Sequence, residues 1–187
     1  MSDLSPALVV PLLRGRFGRP YRFVAECEST QRLLGEDDPE GAVVAADHQT
    51  AGRGRLGRRW EDTPGRAILC SVLLLPTAEM ARWPELSVVA GEAVAAAIGE
   101  GAAVSHPNDV MVDGRKVAGI LPEAVPGRVV LGIGVNVNQA EGELPPETAK
   151  PATSLRIELG RPVERAPLLA AILAELERRY DAWLDVS

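Results

Sequence analysis

Apolar positions along the chain recur in two periods, and each predicts a different element. Tyr21 to Ala25 reads as a strand that ends in the polar run Glu26-Cys27-Glu28-Ser29-Thr30, where Ser29 or Thr30 can cap a short helix carrying Leu33 and Leu34. Ala42-Val43-Val44-Ala45-Ala46, within Gly41 to Asp47, and Ala67 to Leu75 are continuous apolar runs of strand length, the pattern of a strand buried on both faces. After Pro84, Leu86, Val89, Ala90, Val94, Ala97 and Ile98 fall at helical spacing up to Gly99, a wide apolar face suited to packing on a sheet. Val110-Met111-Val112 and Lys116 to Leu121 flank Asp113-Gly114, a dipeptide that tolerates the positive φ angles of a two-residue hairpin. Pro126-Gly127 turns the chain into a further strand pattern, Val129 to Val137. Glu141 to Ala152 is rich in Pro and Glu and reads as a loop. From Pro167 the spacing of Leu169, Ile172, Leu173, Leu176, Tyr180, Trp183 and Leu184 is helical, with packing the favoured use of Tyr180 and Trp183. Consecutive hairpins with helices between and after them predict an α+β fold, a mixed, largely antiparallel sheet flanked by helices. No linker divides the 187 residues, so a single domain over 1–187 is expected, with about the first 20 residues as a lead-in through Leu8, Val9, Leu12 and Leu13.

Composition narrows the setting. With 46% hydrophobic residues the chain can bury a sizeable core, and a formal net charge of −6 gives no global positive field to hold nucleic acid. Cys27 and Cys70 pair with no metal-ligand spacing, and Cys70 lies inside an apolar run where a thiol acts as a small hydrophobe. The N-terminal stretch lacks the basic start of a secretory signal, and no apolar run approaches the roughly 18 residues of a membrane span. A reducing cytoplasm, with neither membrane nor DNA as partner, is the expected setting.

Against that acidic background Gln49 to Trp60 carries four arginines and three glycines in twelve residues. Glycines let a backbone bend closely round a ligand, and guanidinium groups present planar forks that match phosphate or carboxylate. The same composition also describes a solvated loop or a sequence-tolerant RNA contact, and spacing alone leaves these open. Its place directly after a strand is the usual one for a binding loop on a rigid scaffold. A second cluster, Pro107-Asn108-Asp109 and Lys116-Val117-Ala118-Gly119-Ile120-Leu121, straddles the Asp113-Gly114 turn, so that Lys116 is expected near the Asp109 strand. Taken alone it reads first as an ordinary surface ion pair with a turn asparagine.

Together the two clusters resemble the catalytic domain of biotin protein ligases. The resemblance runs in order through Glu28-Ser29-Thr30, the Asp47 to Trp60 block with its GRGRxGRxW pattern, Pro107-Asn108-Asp109-Val110, Gly114 to Leu121 with KxxGIL, and Gly132 to Asn138, and covers about 21–184. It implies the class II aminoacyl-tRNA-synthetase-like architecture of that family and a two-step reaction. Biotin and Mg-ATP give biotinyl-5′-adenylate and pyrophosphate, and a lysine of a biotin carboxyl carrier protein then takes the biotinyl group. By the same resemblance Ser29, Thr30 and Gln49 would hydrogen-bond the uncharged ureido head of biotin, with Gly52, Arg53, Arg55, Lys116 and Gly119 completing that site. Arg53, Arg55, Arg58, Trp60, Asn108 and Asn136 would contact the nucleotide. Arg59 would face solvent, and Trp60 reads equally as a wall beside the adenine or as an anchor into the core. Lys116 would neutralise the carboxylate and the α-phosphate, Arg55 would stabilise charge with it, and Asp109 would receive the proton of the acceptor lysine, whose free pKa is about 10.4. The Arg/Gly segment would be a lid, mobile when empty and ordered over the adenylate. Magnesium would come with ATP and not from a dedicated protein site.

Two departures qualify the resemblance. Ser105-His106 stands where the family usually has Lys-Trp, removing a cation and a large aromatic, and Gln31 replaces an asparagine often found after Ser-Thr. A lone His106 without a companion ligand is not a metal site. The sequence also leads us to expect neither the N-terminal winged helix of repressor-type ligases nor a C-terminal SH3-like domain, and a monomer or homodimer. Two alternatives share the pattern: a lipoate or octanoate ligase or transferase, and a non-catalytic binder of biotin or its adenylate.

Overall fold

The computed structural model describes residues 2–145 and 150–186. Chain order is α1 (Pro6–Val9), β1 (Tyr21–Cys27), β2 (Val43–Gln49), β3 (Ala67–Leu74), α2 (Leu86–Ile98), β4 (Ala102–Ser105), β5 (Asp109–Val112), β6 (Arg115–Val125), β7 (Arg128–Asn136), α3 (Leu155–Leu159) and α4 (Arg165–Asp185). The strands form one seven-stranded sheet in the order β1-β2-β3-β7-β6-β5-β4. Only the β1/β2 pair is parallel, so the sheet is mixed and largely antiparallel, as the hairpin pattern predicts.

The continuous apolar run of β3 is buried at every residue, because this strand sits inside the sheet between β2 and β7. One face of the sheet is closed by α2 and α4. Val94 and Ala90 of α2 join Leu169, Ile172, Leu173 and Leu176 of α4 and Leu131, Ile133 and Val135 of β7 in one apolar cluster. Tyr180 is fully buried, stacks on Trp183 at 6.0 Å and gives its hydroxyl proton to Glu40 at 2.8 Å, which makes both aromatics core residues. Gly99 ends α2 with φ 99°. Cys27 and Cys70 are free thiols, and complete burial pushes the Cys70 thiol up to about 12.

The Asp113-Gly114 turn has φ 47° and 78°, the pair of positive values a two-residue hairpin needs. Three elements have no sequence expectation: α1, the short edge strand β4, half exposed between turns, and α3, whose first turn is capped by the Ser154 hydroxyl accepting from the Ile157 N–H at 3.3 Å. The short helix expected after Ser29 is a 3₁₀ turn, Thr30–Leu33, without a side-chain cap. The Thr30 hydroxyl is engaged elsewhere, on Gln49 and Ser71. No helix of the described residues is long and apolar enough to cross a membrane.

Candidate active site

The sheet face opposite the helices carries a cavity of about 700 Å3, within the usual range for a small-molecule site. Its floor is made possible by glycine. Gly119 and Gly134 are direct cross-strand partners on β6 and β7, and the Trp60 ring lies on them so closely that an added Cβ would come within 2.8 and 2.7 Å of it. Gly132, one pleat away, leaves the same kind of room for the Gln31 side chain, 2.9 Å from where a Cβ would stand. Gln31 in turn donates to the carbonyls of Leu121 and Val130 at 3.0 and 3.1 Å, bracing the floor. The two readings of Trp60 therefore coincide: it is seated on the sheet and it walls the cavity.

At one end the groups are uncharged. Ser29 and Thr30 are buried, and the Gln49 amide oxygen accepts from the Thr30 backbone N–H at 2.8 Å and from its hydroxyl at 3.2 Å. The Thr30 hydroxyl also meets that of Ser71 at 2.7 Å. Ser71 and Gln31 are site-building residues that sequence reasoning missed. For Ser71 a signal exists, the single hydroxyl in the apolar run of β3. Gln49 is held from behind by Asp62, whose carboxylate accepts from the Gln49 N–H at 3.1 Å and pairs with the His48 ring at 2.8 Å.

The Arg/Gly segment arches over the cavity as a small hairpin. Arg53 and Arg59 form an antiparallel bridge, the Gly54 N–H donates to the Arg58 carbonyl at 2.8 Å, and the Trp60 N–H donates to Gly52 at 3.0 Å. Gly52 has no room for a side chain, since a Cβ would lie 2.5 Å from the Trp60 carbonyl. At the tip Leu56 (φ 58°) is 87% exposed. Arg53 pairs with Glu123 of β6 at 2.5 Å, and Arg55 reaches Asn108 at 3.4 Å. Arg58 is exposed on the cavity rim, and Arg59, also exposed, donates to the Thr50 carbonyl at 2.9 Å.

The other end is ionic. Lys116 Nζ lies 2.8 Å from one oxygen of Asp109 and 5.7 Å from the centroid of the Trp60 ring, a cation–π distance. Lys150 Nζ lies 2.7 Å from the second Asp109 oxygen and donates to the Ser105 hydroxyl at 3.0 Å. Burial alone would raise the Asp109 carboxyl, but the hydrogen bonds and charges of the two lysines outweigh it and hold the group below the usual carboxylate range. Asn108 is fixed by donating to the Ile120 carbonyl at 3.1 Å. Asn136 donates to Thr153 at 3.0 Å and accepts from Gln139 at 3.1 Å, so both of its amide atoms already have protein partners.

Lys150 was not anticipated, because it comes from the loop between β7 and α3, 41 residues from Asp109. It approaches beside the register shift between β5 and β6. There Lys116 turns its backbone outward, donating to Pro151 at 2.7 Å and accepting from Thr153 at 2.8 Å, which draws the segment after Lys150 alongside β6. The signal in the sequence was compositional: 18 of the 20 basic residues are arginine, and Lys116 and Lys150 are the only lysines. Thus every residue expected from the sequence (Ser29, Thr30, Gln49, Gly52, Arg53, Arg55, Arg58, Trp60, Asn108, Asp109, Lys116, Gly119 and Asn136) lies in or directly against this one cavity. Among the described residues no three His, Cys, Asp or Glu side chains gather as a metal cage.

Residues 25–139 match the model of the biotin/lipoate A/B protein ligase family. The chain is 41% identical over 183 residues to the biotin–[acetyl-CoA-carboxylase] ligase of Mycobacterium tuberculosis, covering 90% of this chain and 67% of the relative. It is 38% identical over 162 residues to the bifunctional ligase/repressor BirA of Bacillus subtilis, covering 82% of this chain but 50% of the relative, so it spans about half the length of that protein. The biotin protein ligase of Aquifex aeolicus in complex with biotin and ATP superposes with a TM-score of 0.80 at 32% identity, over 89% of this chain and 72% of that one. With its sheet, its glycine-floored cavity and these similarities taken together, the chain belongs to the biotin/lipoate A/B protein ligase family.

Proposed function

We propose that this chain activates biotin with ATP and transfers the biotinyl group to a lysine of a biotin carboxyl carrier protein. One observation carries the reading: the cavity has a buried, uncharged hydrogen-bonding end at Ser29, Thr30 and Gln49 and a cationic end at Arg53, Arg55 and Lys116. A molecule with a neutral polar head and a carboxylate tail fits both, whereas the apolar chain of octanoate would cover the polar end without offering it a hydrogen bond.

In the first step an oxygen of the biotin carboxylate bonds to the α-phosphorus of ATP as the bond to pyrophosphate breaks. The two reactants are both anions, so the contribution of Lys116 and Arg55 is to neutralise charge where they meet. The Arg53 to Trp60 hairpin excludes water from the acyl-adenylate, which water would otherwise hydrolyse. Magnesium enters as the counter-ion of ATP. In the second step the acceptor amine, neutral after giving a proton to solvent, attacks the acyl carbon, AMP leaves with the bonding electron pair, and the remaining extra N–H proton passes to solvent as the amide forms. Lys116 and Lys150 each hold one Asp109 oxygen, so when Lys116 moves onto the substrate the freed oxygen can orient the incoming amine.

Incubation with biotin, Mg-ATP and a carrier domain, followed by mass spectrometry for biotinyl-5′-adenylate and biotinylated carrier, tests the proposal. We expect both products, with lipoate and octanoate turned over at least about tenfold more slowly. Formation of lipoyl or octanoyl adenylate in preference, or of no adenylate, would overturn it.

A further inference from the structure

The chain uses arginine almost exclusively as its cation, yet places its only two lysines on the two oxygens of one carboxylate. Three further observations show that this is a built arrangement. Asp109 is 9% exposed, so its charge is costly to leave without a counter-ion. Ser105, the cross-strand partner of Asp109, accepts from Lys150 and fixes its ammonium group. The Lys116 backbone pairs with the 151–153 segment, which holds Lys150 near that spot.

These contacts pose a mechanical problem. An ammonium bound to a nearly buried carboxylate is not free to meet an incoming anion, and if it left, it would strand the Asp109 charge. We propose that Lys150 is a positioning residue that acts through Asp109: by satisfying one oxygen permanently, it releases Lys116 to move onto the substrate carboxylate and phosphate. The inference rests on the reading that Lys116 serves an anionic substrate. It gives the Lys150–Ser105 pair a purpose that the activity alone does not require. A compact ammonium suits Lys116, since it can be passed between oxygens, while Lys150 has only to stay on its oxygen, a part that a guanidinium can take in some measure.

The test exploits the scarcity of lysine. Acetic anhydride labelling of the native chain, read by mass spectrometry and normalised to the N-terminal amine, reports how freely Lys116 leaves Asp109. In Lys150→Met, labelling of Lys116 should fall by roughly three- to tenfold, the range one partly buried ion pair supports. A merely structural loss would loosen the 151–153 segment and raise Lys116 labelling instead, and Asp109→Asn in the same background should restore the labelling by removing the charge that retains Lys116. In parallel, adenylate formation should drop about tenfold in Lys150→Met and recover in part in the double variant and in Lys150→Arg. Unchanged or raised Lys116 labelling in Lys150→Met, or no reversal by Asp109→Asn, would overturn the proposal. A wild-type chain that makes no adenylate would instead refute the proposed function, and the labelling result would still decide the role of Lys150.

Discussion

Strand β7 presents two different environments on its two faces. Leu131, Ile133 and Val135 point into the layer of α2 and α4 and are buried to 0–3% exposure, while Gly132, Gly134 and Asn136 alternate with them toward the cavity. The first set fills space, and the second keeps space open for Gln31, Trp60 and a ligand. One pleat therefore separates residues chosen for burial from residues chosen for how little they occupy, and a substitution on either face should have a different signature.

The largest expected effect lies on the cavity side. Lys116→Ala should lower adenylate formation by about 10²- to 10³-fold, measured by pyrophosphate exchange, while leaving the unfolding midpoint close to wild type. Loss of stability on the same scale as loss of rate would erase the distinction between the faces. On the helix side Leu131→Ala should cost about 2–5 kcal/mol in denaturant unfolding, and the fraction that stays folded should bind biotin normally. Gly134→Ala sharpens the comparison because it puts one methyl where the Trp60 ring lies. We expect about 1–3 kcal/mol of destabilisation by overpacking together with weaker ligand binding by calorimetry, and unaltered binding would mean that Trp60 does not shape the cavity.

The smallest effect is a matter of pH. The Asp109 carboxyl is depressed in the folded protein, so its contribution is present above the unfolded value of about 3.9 and is lost as pH falls through the lower folded value. Wild type should thus lose stability more steeply below about pH 4 than Asp109→Asn, as followed by circular dichroism. Parallel acid profiles would show that the two lysines do not stabilise the ionised form.

What was legible beforehand divides along sequence distance. The Asp109–Lys116 pair could be anticipated because a two-residue turn at Asp113-Gly114 fixes the register of its two strands, and register is a local property. The strand that launches the Arg/Gly segment and the glycines of β7 were visible for the same reason. Gln31 was noted only as a departure from the family pattern; its use as a brace depends on the carbonyls of Leu121 and Val130, 90 and 99 residues away. Ser71 and Lys150 stand out by composition, but that they meet Thr30 and Asp109, and that Glu123 meets Arg53, is decided by contacts across distant segments.

The sequence by itself determined six of the seven strands, the two long helices and most of the polar residues that line the cavity, because hydrophobic period and turn composition act between near neighbours. Tertiary structure alone decided which groups share a carboxylate, which amides are already satisfied and where a tryptophan can rest. Those outcomes require loops to close over tens of residues, and their free energy comes from burying charges and rings together in one cavity, which no local pattern encodes.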